Sequence, residues 1–146
     1  MAGTGLLEPL ADPALLLWPA GAHLALILLL YAWLTFERLF NVMGGRGRYA
    51  DLVTPDGDAD RAARVAANLS NQFEAPMLFH PLVLALWTTG LASGADLLLA
   101  WVFLAGRLIH TGVQTLTANV PLRGLVFSIN FLALCAMWIW FLVRAV

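Results

Sequence analysis

Four stretches of the chain are long, apolar and sparsely charged: residues 14–36, 65–91, 97–117 and 124–143. Each is close to the ~20 residues that an α-helix needs to cross a hydrocarbon core of about 30 Å. No water is present there to take up open backbone N–H and C=O groups, so such stretches fold as helices that satisfy themselves. The pattern predicts an all-α membrane protein built as a four-transmembrane-helix bundle. It forms a single domain over residues 1–146, with helices over about 14–43, 60–92, 96–118 and 121–145.

Polar positions mark the connectors. The first, "NVMGGRGRYADLVTPDGDAD", has Gly44, Gly45, Gly47, Pro55 and Gly57 against a continuous helix, and four aspartates that hold it in water. Asp58 or Asp60 is placed to cap the second helix. "GLASGAD" is a tight polar hairpin, and "TANVPLRG" leads into the fourth helix with Pro121 at its first turn. Within the second run, Pro76 and Pro81 each remove a backbone donor, which predicts a kink just beyond Glu74. Met1 to Pro13 carries Glu8 and Asp12 instead of a positive region, so the first helix is expected to stay on the protein rather than be cleaved as a signal.

Composition agrees with the pattern: 61% of the residues are hydrophobic and 12% charged, against about a quarter charged in an average soluble domain. Net charge is −1, which gives no reason to expect a nucleic-acid partner. All eight basic residues are arginines. Arg38, Arg46, Arg48, Arg61 and Arg64 flank the first connector and Arg123 the third, whereas the opposite side has Arg144. The positive-inside rule then predicts that the first and third connectors face the cytoplasm and both termini face away. Cys135 lies within the last run, where packing is its expected role.

The polar residues inside the spans are the candidate chemistry. An ionisable group at the centre of a membrane helix costs about 2.5–3.5 kcal/mol on the insertion scale, so such groups turn inward and pair. At about 100° per residue, Arg61, Arg64, Asn68, Asn71 and Glu74 share an arc of roughly 140°, and Arg107, His110, Thr111 and Gln114 one of about 100°. Chain direction brings both faces to the end of the bundle where Arg123 opens the fourth helix. The expectation is a cytoplasm-facing pocket of guanidiniums, amides and one carboxylate, suited to a small molecule bearing carboxylates and an ammonium. Any one of these amides also has a plain packing role, worth about 0.6–2 kcal/mol between membrane helices. His23, His80 and a lone His110 are read first as structural, and no residues stand at metal-ligand spacing.

With those residues in place, "RVAANLSNQFEAPMLF" and "GRLIHTGVQTLTANVPLRG" resemble the membrane-associated proteins in eicosanoid and glutathione metabolism, the MAPEG family. The resemblance implies a bacterial-type member in the inner membrane, assembled as a homotrimer that binds glutathione between adjacent subunits. It also implies that Asn71 and Glu74 hold the tripeptide, Glu74 through the ammonium group. On the same resemblance Arg64 and Arg107 are expected to hold carboxylates, and Arg123 to stabilise the thiolate. Three positions depart from the family's pattern: Ala67 and Gln114 stand where an arginine and a tyrosine are common, and Gly124 where one branch has serine.

Three functions follow as expectations. The first is a glutathione transferase or peroxidase acting on a hydrophobic electrophile from the bilayer, with Arg123 catalytic and Arg64, Asn68, Asn71, Glu74, Arg107, His110 and Gln114 around the cosubstrate. The second, favoured by Gln114 and Gly124, is a noncatalytic protein that binds a lipid or activates a partner. The third is a small proton-coupled transporter using Glu74. It has less support, because Glu74 has amide and arginine company instead of standing alone.

Overall fold

The computed structural model describes residues 5–53 and 60–146. Asp58, a candidate cap for the second helix, lies outside the described residues. Asp12 opens the fold: its Oδ1 accepts from the backbone N–H of Ala14 at 2.9 Å and starts a 3₁₀ turn, Pro13–Leu16. The turn runs directly into α1, Leu17–Met43. After the first connector come α2, Asp60–Gln72, and α3, Phe79–Thr89. A tight turn then leads to α4, Gly94–Leu116, and α5, Val120–Ala145, completes the bundle.

Among the described residues, three helical segments are long and apolar enough to cross a membrane: Pro13–Met43, Gly94–Leu116 and Val120–Ala145. The second apolar run differs from the single helix expected over 60–92. Helix α2 stops at Gln72, Glu74 leaves helical geometry with φ −88° and ψ −127°, and a 3₁₀ turn, Ala75–Leu78, leads into α3. Pro76 has no N–H to give to a carbonyl of the preceding turn, so the ladder is interrupted there. Pro81 sits in the first turn of α3, where a missing N–H goes unmissed.

Two apolar clusters hold the helices. Toward the first connector, Leu26, Ile27, Leu30 and Leu34 of α1 pack on Ala62, Val65 and Leu69 of α2. Toward the other end, Leu16, Phe79, Leu82, Leu86, Phe103, Leu134 and Met137 form a larger cluster, with the Phe79 and Phe103 rings stacked at 4.3 Å. Polar caps fasten that end. Ser93 and Asp96 form a reciprocal capping box at the start of α4. Arg144, at the end of α5, donates to both oxygens of the fully buried Asp96 at 2.9 and 2.7 Å and also to the carbonyl of Leu91. Gly90, at φ +68°, closes α3 in a left-handed conformation that glycine adopts without steric cost.

Candidate functional site

Between the two apolar clusters, α1, α2 and α4 meet through polar side chains. Arg107 is the hub and is 0% exposed. Its Nε donates to Gln72 Oε1 at 3.0 Å, while Nη1 and Nη2 donate to Asn71 Oδ1 at 3.2 and 3.3 Å. Gln72 Nε2 donates to Asn68 Oδ1 at 3.2 Å, an oxygen that also accepts from Thr111 Oγ1 at 3.0 Å. Asn68 Nδ2 in turn donates to Gln114 Oε1 at 2.9 Å. Polar groups buried in a membrane bundle are costly when unpaired, and this chain of amides distributes partners among them.

The network extends in two directions. Toward α1, His23 Nε2 meets Gln72 Oε1 at 3.1 Å and His23 Nδ1 meets His80 Nε2 at 3.0 Å, with the two rings stacked at 5.1 Å. Toward the surface, Asn71 Nδ2 donates to Glu74 Oε2 at 3.4 Å. The break after Gln72 sets the position of Glu74, which is exposed at the mouth of the network. Glu74 and Arg107 are therefore joined through one amide: Asn71 accepts from the cation with its oxygen and donates to the anion with its nitrogen.

Two clefts lie beside this network, and Gln114 and Arg123 line both. One, about 330 Å³, also takes Arg64, Ala67, Thr117 and Asn119. The other, about 310 Å³, also takes Asn71, His110, Gly124 and Phe127. Arg123 stands in the first turn of α5, which Asn119 caps by accepting from the backbone N–H of Leu122 at 2.9 Å. Its side chain is exposed, as is that of Arg64. The clefts thus offer two guanidiniums, three amides, an imidazole and a nearby carboxylate, a donor set that matches a peptide with carboxylates and an ammonium.

The residues singled out from sequence fall into three positions. Arg64, Asn71, His110, Gln114 and Arg123 line the clefts, with Glu74 bonded to Asn71 beside them. Asn68 and Arg107 are fully buried and line neither cleft; within this chain they are hydrogen-bonded to Gln114 and Asn71, which do. Arg61, expected on the same face, is exposed and pairs with Glu37 at 3.1 Å on α1. Gln72 joins the network as well, together with His23 and His80, which the sequence reads as structural. Gln72 was legible, since it stands one turn from Asn68 on the same side of α2. The role of His23 was not, because nothing in the spacing of α1 points to α2.

A family model, that of the MAPEG family, matches residues 15–143. No curated protein and no solved structure matches the chain.

Proposed function

From its membership of the MAPEG family, multi-pass membrane proteins of glutathione and eicosanoid metabolism, we propose that this chain binds glutathione and transfers it to, or reduces with it, a hydrophobic electrophile supplied by the bilayer. The observation that carries the reading is the Asn71 amide held between Arg107 and Glu74 at the edge of the cleft containing Arg123. Glu74 receives the ammonium of the tripeptide. Arg64 and Gln114 receive carboxylate and amide groups, and Arg107 fixes Asn71 from behind. Arg123 faces the thiol. A free thiol, with a pKa near 8.5, is only slightly ionised at neutral pH, and an adjacent fixed cation raises the thiolate fraction.

Glu74, Arg64 and Arg123 are all exposed on the single chain, which supports a homotrimer in which a neighbouring subunit closes the site. By the distribution of arginines the site faces the cytoplasm, with both termini across a bacterial inner membrane. A second reading, a noncatalytic lipid-binding or partner-activating protein, is favoured by Gln114. Its carbonyl oxygen already accepts from Asn68, and a tyrosine hydroxyl is lacking there.

Calorimetric titration of the detergent-purified protein with glutathione tests binding. Thiolate absorbance in the ultraviolet, present in the parent and lost in Arg123→Ala, tests the catalytic role. Absence of glutathione binding ends the proposal; binding with no thiolate signal in the parent leaves the noncatalytic reading.

A further inference from the structure

One face of α5 runs from Arg123 and Phe127 to Asn130, Phe131 and Leu134. Arg123 and Phe127 line the second cleft, while Phe127, Asn130, Phe131 and Leu134 line a small space against Pro76 and Arg107. Phe127 belongs to both, with its ring 6.0 Å from His110 on one side and stacked parallel to Phe131 at 6.2 Å on the other. Asn130 is 3% exposed, and its Oδ1 has no hydrogen-bond partner among the described residues. Gly106 leaves room for it: a Cβ at that position would approach Asn130 Cγ to 3.1 Å, and the asparagine would have to give by a few tenths of an ångström.

A buried carbonyl oxygen without a donor has given up its hydrogen bond to water and gained none in return. The space that Asn130 lines measures about 10 Å³, room for a group the size of one water. Arg107 lines the same space, and its guanidinium has five N–H donors, of which the bonds to Gln72 and Asn71 engage three. One wall therefore accepts and the other carries spare donors. A hydroxyl satisfies both at once. A ketone or ether leaves Asn130 unpaired, and an ammonium is repelled by Arg107.

We propose that the face of α5 from Arg123 to Asn130 seats an amphipathic hydroxylated cosubstrate, whose alkyl chain lies against Phe127 and Phe131 and whose hydroxyl donates to Asn130 Oδ1. At ~1.5 Å of rise per residue, the hydroxyl sits about 10 Å from the end of the molecule that meets Arg123. The identity of that reacting end rests on the glutathione reading; recognition of the hydroxyl does not.

The test measures equilibrium binding, in the absence of glutathione, of a radiolabelled long-chain enone with a hydroxyl at that spacing and of its deoxy counterpart. The parent is expected to prefer the hydroxylated probe about tenfold, the scale of one buried hydrogen bond. Asn130→Asp, which keeps the acceptor, retains the preference. Asn130→Leu, of similar shape, loses it while still binding the deoxy probe. Equal affinities in the parent, as when Asn130 merely holds an ordered water, overturn the inference, and so does a preference that persists in Asn130→Leu. A hydroxyl preference in a protein that fails to bind glutathione sustains this inference and defeats the proposed function; glutathione binding without the preference does the reverse.

Discussion

Gln72 and Arg107 hold each other in full burial: Oε1 accepts from Nε at 3.0 Å, and both residues are 0% exposed. The same oxygen faces His23 Nε2 at 3.1 Å. A guanidinium only donates, so the glutamine atom it meets is the carbonyl oxygen and the His23 nitrogen facing that oxygen carries the proton. A neutral His23 ring then accepts at Nδ1, and His80 Nε2 is the donor to it at 3.0 Å. One acceptor thus fixes the tautomers of two histidines and the orientation of a buried cation.

Gln72→Leu removes that acceptor and leaves Arg107 Nε and His23 Nε2 without a partner. A destabilisation of about 3 kcal/mol is expected, since unpaired buried donors cost about 1–3 kcal/mol each and more when charged. Gln72→Glu, which restores an acceptor for both, is expected to recover most of it. Denaturant unfolding in detergent measures the series. Equal stability of Gln72→Leu and the parent would mean that Arg107 finds another partner.

Asn71 separates stability from binding. Asn71→Asp still accepts from Arg107, and more strongly as a carboxylate, so it should unfold as the parent does. It has no N–H to orient Glu74, and it places like charge beside that residue. Glutathione affinity is therefore expected to fall about tenfold in both Asn71→Asp and Asn71→Leu, with only the latter destabilised. Calorimetry combined with unfolding checks the split. Parental affinity in Asn71→Asp would remove the amide from the binding site.

Much of this arrangement was legible in the sequence and some was not, for reasons that follow from helix geometry. Spacing at about 100° per residue placed Asn68, Asn71 and Arg64 on one side of α2 and Arg107, Thr111 and Gln114 on one side of α4, and the two sides meet. The same rule fails at Glu74, because the helix has ended and the break sets the direction of its side chain. Periodicity also cannot grade depth along a face. Arg64 and Arg107 each fell on a polar arc, yet one is exposed and the other completely enclosed. The contribution of His23 required α1 to be laid against α2, a tertiary fact that no pattern within α1 encodes.

The far end of the bundle gives a control that leaves the site alone. Asp96 is 0% exposed, and its oxygens take the capping bonds of Ser93 and the guanidinium of Arg144. Removing Arg144 leaves a buried carboxylate without its cation, which is expected to cost about 3–5 kcal/mol. Arg144→Ala should therefore unfold far more readily than the parent, while folded protein retains parental glutathione affinity. By contrast, the Arg61–Glu37 pair is more than half exposed on the arginine side, and Glu37→Gln is expected to shift stability by less than about 1 kcal/mol. A loss in Glu37→Gln comparable to that in Arg144→Ala would contradict the burial argument.

Ala67 makes the proposed ligand testable by addition. It is exposed on α2 and lines the cleft shared by Arg64 and Arg123, at the position where the family pattern commonly has an arginine. Arginine is nearly as good a helix former as alanine, so Ala67→Arg should fold as the parent does. It would set a third guanidinium around the same space and offer a further fork to a carboxylate. If that cleft takes the acidic end of glutathione, affinity at low salt should rise about tenfold, the effect of one added charge-assisted hydrogen bond. The gain should shrink as ionic strength passes about 0.15 M, where the screening length is ~8 Å. Calorimetry across a salt series reads both quantities. Weaker binding at low salt would show that the three cations repel one another more than they attract the peptide, and would move its carboxylates to the Asn71 cleft instead.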